Sequence, residues 1–169
     1  EPKWKAEMAE FTKIKRRETN DADAVVNMWD IFYYENLYKK ERFSVDAEQL
    51  RVFFPYEQTL QGMFRVYEEI FRLKIVEAKP QYKWNNQVTL HLVYDSLSGE
   101  PLGALYLDMF PRDGKFNHFA MFPLISGKKL SSGHYQRPTV ALICNFPNPG
   151  KDKTSLLSHD NVETLFHEF

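Results

Sequence analysis

The segment Glu163–Phe169, ETLFHEF, sets an imidazole directly before a carboxylate, at His167 and Glu168. On a helix this is the first half of H-E-x-x-H. Two histidines one turn apart there hold Zn²⁺ through neutral ring nitrogens, while the glutamate moves a proton from activated water to a leaving amine. The second histidine would fall two residues past Phe169, beyond this sequence. By itself His-Glu is a poor signal, because a surface histidine beside a surface glutamate reads the same way.

Other reactive side chains form weaker patterns. His118, His134, His159 and Asp160 offer no metal-ligand spacing, and His91 alternates within a strand-like run. Asp108, in YLDMF, could orient a partner, although a carboxylate near a strand end more often caps or pairs with Arg or Lys. The sequence has no G-x-S-x-G, no phosphate-cradling glycine loop, and no cysteine–histidine pair singled out by spacing. One cysteine, Cys144, excludes an internal disulfide framework and lies in an apolar run, as a buried, inert thiol would. It favours a reducing compartment.

The elements that must carry these residues are ordinary. With 169 residues and 43% hydrophobic content, the chain can bury a core. A net charge of −1, with acids and bases interspersed, points to neither nucleic acid nor an acidic membrane surface as partner. No apolar run approaches the ~20 residues of a membrane span, and no secretory pattern opens the chain. It begins without Met and ends abruptly, so we expect a fragment of a longer protein.

Apolar spacing predicts a helix over 3–17 and a second carrying Val25, Val26, Met28, Trp29, Phe32, Tyr33 and Leu37, capped by Asp21 or Asp23. These stripes read as core. A short helix from Ser44 or Asp46 ends at Pro55, and a longer one runs from Tyr56 to about Leu73. After Pro80 the texture changes. Residues 88–95 and 101–110 read as a β-hairpin, 117–122 as a third strand, 126–134 as a polar loop and 139–146 as a buried strand. A last helix starts near Asp160, with Asp160 and Glu163 at capping-box spacing. It buries Val162, Leu165, Phe166 and Phe169 and turns His167 to a cleft or to water. The expected class is α+β: helices over 1–76, a small, mainly antiparallel sheet over 80–147, and the start of an active-site helix over 158–169, all one fragment.

Residues 141–169 resemble the segment leading into the zinc helix of the thimet oligopeptidase-like metallopeptidases, whose pattern is close to N-F-x-x-P, then S-L-L-x-H-x-x-V-E-T-x-F-H-E-F-G-H. Ser155-Leu156-Leu157, His159, Val162-Glu163-Thr164 and Phe166-His167-Glu168-Phe169 match in register. Upstream, Trp29-Asp30 with Tyr33-Tyr34 resembles W-D-x-x-Y-Y. Phe54-Pro55 with Gly62 and Tyr67 resembles F-P…G-L-x-x-x-Y. Gly103 and Tyr106–Lys115 resemble G-x-x-Y-L-D-L-Y-P-R-x-G-K.

The resemblance implies a largely helical, two-lobed metalloendopeptidase with a narrow channel that admits short peptides. It implies one Zn²⁺, with His167 as first ligand and Glu168 as general base. The other ligands would come from the remainder of the parent catalytic domain. It places an edge strand along the cleft at 117–122, with His118 and Ala120 as candidate substrate contacts. The implied compartment is cytoplasmic, or alternatively the mitochondrial matrix, and the fragment alone would be inactive. A competing reading is a non-catalytic module that binds peptides on that edge strand. A third is a piece with no independent fold, whose exposed apolar residues drive aggregation.

Overall fold

The structure, a computed structural model, describes residues 2–150 and 154–169. The chain divides into two compact units, Glu1–Leu50 and Arg51–Phe169.

In the first unit, helix α1 (Pro2–Thr19) and helix α2 (Ile31–Phe43) share a small core. Phe11, Ile14 and Tyr34 are buried, and Met8, Val26, Ile31, Leu37 and Tyr38 pack around them. Lys15 Nζ donates to Asp30 Oδ2 at 2.6 Å, and the hydroxyls of Tyr33 and Tyr34 both donate to the Glu18 carboxylate. A 3-10 turn at Met28–Asp30 leads into α2. Neither Asp21 nor Asp23 caps this helix. Asp21 instead accepts from the backbone of Asp23 in a local turn, and the entry is closed by Asp30 accepting from the Asn27 N–H at 2.8 Å. The second stripe was also expected to be core, yet Met28, Trp29 and Phe32 are each about 80% exposed. Two helices cover only one face of each other, and that face of α2 is taken by Tyr34, Leu37 and Tyr38. A one-turn helix, α3 (Ala47–Leu50), ends the unit, with Asp46 Oδ1 accepting from the Glu48 N–H.

The second unit begins with a 3-10 turn at Arg51–Phe53 and the amphipathic helix α4 (Tyr56–Phe71). Pro55 starts the helix, and Arg72, in the left-handed region at φ 54°, ends it. The reversal at Arg72 feeds a strand that the sequence reading missed, β1 (Leu73–Ala78). Leu73 and Ile75 are half-buried and Lys74 and Val76 exposed, but the apolar Val76 blurs the alternation. Strands β2 (Thr89–Asp95) and β3 (Pro101–Asp108) form the expected hairpin. Strand β4 (Ala120–Ile125) is followed by a pair of two-residue strands, β5 (Lys128–Lys129) inside the stretch 126–134 expected to be loop and β6 (Tyr135–Gln136) just past it. Strand β7 (Thr139–Ile143) is buried, as expected.

The sheet order is β1-β2-β3-β7-β4. Only β3 and β7 are parallel, so the sheet is mainly antiparallel and the α+β expectation holds. Gly103 is required where β3 meets the entry to β7, since a Cβ there would lie 2.9 Å from the Pro138 carbonyl oxygen. One sheet face is covered by α4 and by helix α5 (His159–Glu168). Met63, Leu107, Leu142, Phe146, Leu157 and Leu165 are fully buried between them.

Candidate active site

Helix α5 is capped at its start and tied to α4 further along. Ser158, not Asp160, is its N-cap: Ser158 Oγ accepts from the Asn161 N–H at 3.1 Å, and Asn161 Oδ1 accepts from the Ser158 N–H at 3.2 Å. Asp160 and Glu163 remain on the exposed first turns, where acids suit the positive helix end. The segment before the helix is strapped to the start of α4. The Tyr56 N–H donates to the Ser155 carbonyl and the Leu157 N–H to the Phe54 carbonyl. Ser155 Oγ donates to the Pro147 carbonyl at 2.6 Å.

Along α5 the predicted stripe is the buried one. Leu165 is fully buried, with Val162, Phe166 and Phe169 packed beside it. Tyr67 of α4 donates its hydroxyl to the Phe166 carbonyl at 3.0 Å. The Tyr67 ring also lies 4.5 Å from the ring of Phe169. The residues on either side of His167 and Glu168 are thereby held.

His167 is exposed, as expected, and no hydrogen bond or ion pair engages its imidazole among the described residues. Glu168, one step of ~100° around the helix, is half-buried. It lines a largely apolar cavity of about 270 Å³ with Phe169, Met121 of β4, Leu105 of β3, and Pro138 and Val140 at β7. The structure thus brings Glu168 together with the edge-strand side of the sheet.

Strand β4 lies at the sheet edge but begins at Ala120 rather than at residue 117. Asn145 Nδ2 donates to the carbonyls of Phe116 and His118, at 3.1 and 3.0 Å, which diverts those groups from a ladder. His118 is exposed in the bend before the strand, and Ala120 stands opposite Ile143. Neither lines the Glu168 cavity.

The approach to β4 is set by Asp108, which pairs with Arg and Lys as its strand-end position suggested. Arg112 grips it through two bonds of 2.7 and 2.8 Å, and Trp84 Nε1 donates at 2.7 Å. Lys115, almost fully buried, donates to the carbonyls of Asp108, Phe110 and Cys144 and sits 3.0 Å from Asp108 Oδ1. Burial alone would raise the Asp108 carboxyl, but the Arg112, Trp84 and Lys115 hydrogen bonds hold it at about 2. Burial pulls the Lys115 ammonium down, against the pull of Asp108. Cys144 is buried and its thiol is pushed up to about 12 by desolvation, so it is inert at neutral pH.

Spacing offered no metal pattern at the other end of α5, yet His159, Asp160 and Glu163 place one ligand atom each within 4.8 Å of one another. All three are exposed, and His159 rests edge-on against Phe54. His167 and Glu168 are not part of this group.

A sequence model described as peptidase family M3 matches residues 1–169. The chain belongs to peptidase family M3. This M3 chain is similar to saccharolysin of Saccharomyces cerevisiae, 40% identical over 87% of the chain and 22% of that protein. It is similar to the thimet-like oligopeptidase of Dictyostelium discoideum, 37% identical over 83% of the chain and 21% of that protein. Oligopeptidase A of Escherichia coli is 32% identical over 99% of the chain and 24% of its own length. The M3 chain therefore spans about a fifth to a quarter of the length of these relatives. No helix among the described residues is long and apolar enough to cross a membrane.

Proposed function

We propose that this chain is the part of a zinc-dependent oligopeptidase that carries the first metal ligand and the general base. The observation that supports it best is the division of labour at the end of α5. The apolar face is locked by Leu165 and Tyr67, His167 stands free, and Glu168 faces a cavity beside an edge strand. An exposed, unengaged imidazole is a suitable donor for a divalent metal.

Zn²⁺, when bound, would supply Lewis-acid activation of water near neutral pH. His167 would hold it, with the remaining ligands from the rest of the M3 catalytic domain. Glu168 takes a proton at a carboxylate oxygen and returns it to the departing amine. The substrates are short peptides, a reading that agrees with the names of the relatives, oligopeptidases and saccharolysin. One ligand does not hold zinc usefully, so the 169 residues alone are inactive. We place the enzyme in the cytoplasm, with the mitochondrial matrix as the alternative.

The test is metal content and cleavage of a short quenched peptide by a protein of the relatives' full length. About one zinc per chain with cleavage is expected, and loss of both in His167→Ala. No zinc and no cleavage by the unaltered protein would remove the reading. The second reading, a metal-free peptide-binding module, draws on the open edge of β4. It predicts peptide binding that a chelator does not affect.

A further inference from the structure

Past a bulge between Pro123 and Ile125, the register of β4 continues: Ile125 stands opposite Thr139, and Lys128 of β5 stands opposite Gln136 of β6. Strands β5 and β6 form a two-stranded sheet of their own beyond β4 and β7, in the same antiparallel register. Ser126 and Gly127 form the joint. Gln136 Nε2 donates to the Ser126 carbonyl at 2.9 Å. The Tyr135 hydroxyl sits so close over Gly127 that a Cβ there would lie 2.5 Å from it.

Side chains alternate along such a ribbon. Pro138, between β6 and β7, lines the Glu168 cavity, and continuing the alternation by two from it assigns Gln136, with its partner Lys128, to that side. Lys129 and Tyr135 take the opposite face. Lys128 stands about 10 Å along the edge from Ile125, at ~3.3 Å per residue.

The edge segment itself carries only basic charges. From Gly114 to Gly150 the sequence contains no Asp or Glu. Lys115 in that stretch is consumed by Asp108, and Arg137 donates to the Pro101 carbonyl. Lys128 is exposed and has no ion-pair partner among the described residues.

We propose that Lys128 is a specificity-determining cation of the cleft. It recognises a carboxylate, on an acidic side chain or at a C-terminus, carried by an extended peptide lying along β4 in front of Glu168. This rests on the peptidase reading and names the substrates that site prefers. An extended peptide fits because β4 is a terminal strand whose main chain can accept another. Pro123 and the bulge interrupt that pairing, so the part of the peptide beyond them is read by side chains.

The test compares kcat/KM for three quenched peptides with one core sequence, using the full-length, zinc-loaded protein. One is neutral with an amidated end, one has a free C-terminal carboxylate, and one has an amidated end and a single added Glu. A carboxylate peptide is expected to be preferred about two- to fivefold, as for an exposed ion pair, with the preference shrinking as salt rises. The peptide that shows it identifies the source of the carboxylate. Lys128→Ala removes the preference, Lys128→Glu inverts it and Lys129→Ala keeps it. Equal cleavage of all three by the unaltered protein overturns the proposal. So does a preference that survives Lys128→Glu or disappears in Lys129→Ala. If even the neutral peptide is not cleaved, the peptidase reading itself falls, and the role of Lys128 falls with it.

Discussion

Tyr67 donates its hydroxyl to the carbonyl of Phe166 at 3.0 Å, across 99 residues of sequence and one residue before His167. The bond ties α5 to α4 directly beside His167 and Glu168. Tyr67→Phe keeps the ring contacts with Phe166 and Phe169 and removes the bond. The expected loss is about 1 kcal/mol of stability, together with a fall in kcat from a less firmly held Glu168. Denaturant unfolding and peptide kinetics on the full-length protein check both; unchanged kcat would show that the last turn needs no such anchor.

Leu165 tests the apolar half of the same arrangement. It is fully buried against the sheet. Leu165→Ala should destabilise by about 2–5 kcal/mol through lost burial and a residual cavity. Thermal unfolding reads this directly, and a shift within experimental error would mean that α5 is not docked as described.

Asp108 makes acid stability predictable. Its folded carboxyl sits at about 2, below the ordinary aspartate value of 3.8. The folded state therefore holds fewer protons than the unfolded state between these values. The stabilisation, roughly 2 kcal/mol, is complete above pH ~4 and is lost as pH falls towards 2. Asp108→Asn should flatten stability over that window. It should also cost about 3–5 kcal/mol at neutral pH, because Lys115 is left buried without its counter-charge. A pH series of unfolding free energies for both proteins gives the answer.

His91 acts in a higher window. It is buried, faces the ring of Phe64 at 5.1 Å, and its Nδ1 has no hydrogen-bond partner among the described residues. Desolvation lowers its pKa, with Glu77 on the neighbouring strand opposing in part. The folded state again binds fewer protons than the unfolded state, so stability falls as pH drops below about 6.5. His91→Phe should remove that slope. An identical pH dependence in the variant would contradict the assignment.

What could be read from the sequence was local. The Val162, Leu165, Phe166 and Phe169 stripe and the outward turn of His167 follow from helical periodicity alone, and the β2–β3 hairpin follows from alternation and its turn. Asp108 paired with a base at helical-turn distance, as its position suggested. The misses depend on contacts that no window contains. Tyr67 reaches Phe166 across the fold, and Lys115 reaches three carbonyls from two segments. Asn145 delays β4 until Ala120 by holding carbonyls 27 and 29 residues away. Strand β1 escaped because Val76 breaks its alternation, and the caps Asn27 and Ser158 lost out to acids that looked equally suitable.

The decisive measurement is made on Glu168→Gln in the full-length protein, with bound zinc and peptide cleavage determined on the same sample. Glu168 faces the cavity while His167 stands apart from it, so the substitution should leave about one zinc bound and lower kcat by about 10²–10⁴-fold, the contribution of a general base. Cleavage at the unaltered rate with zinc in place would contradict the role assigned to Glu168.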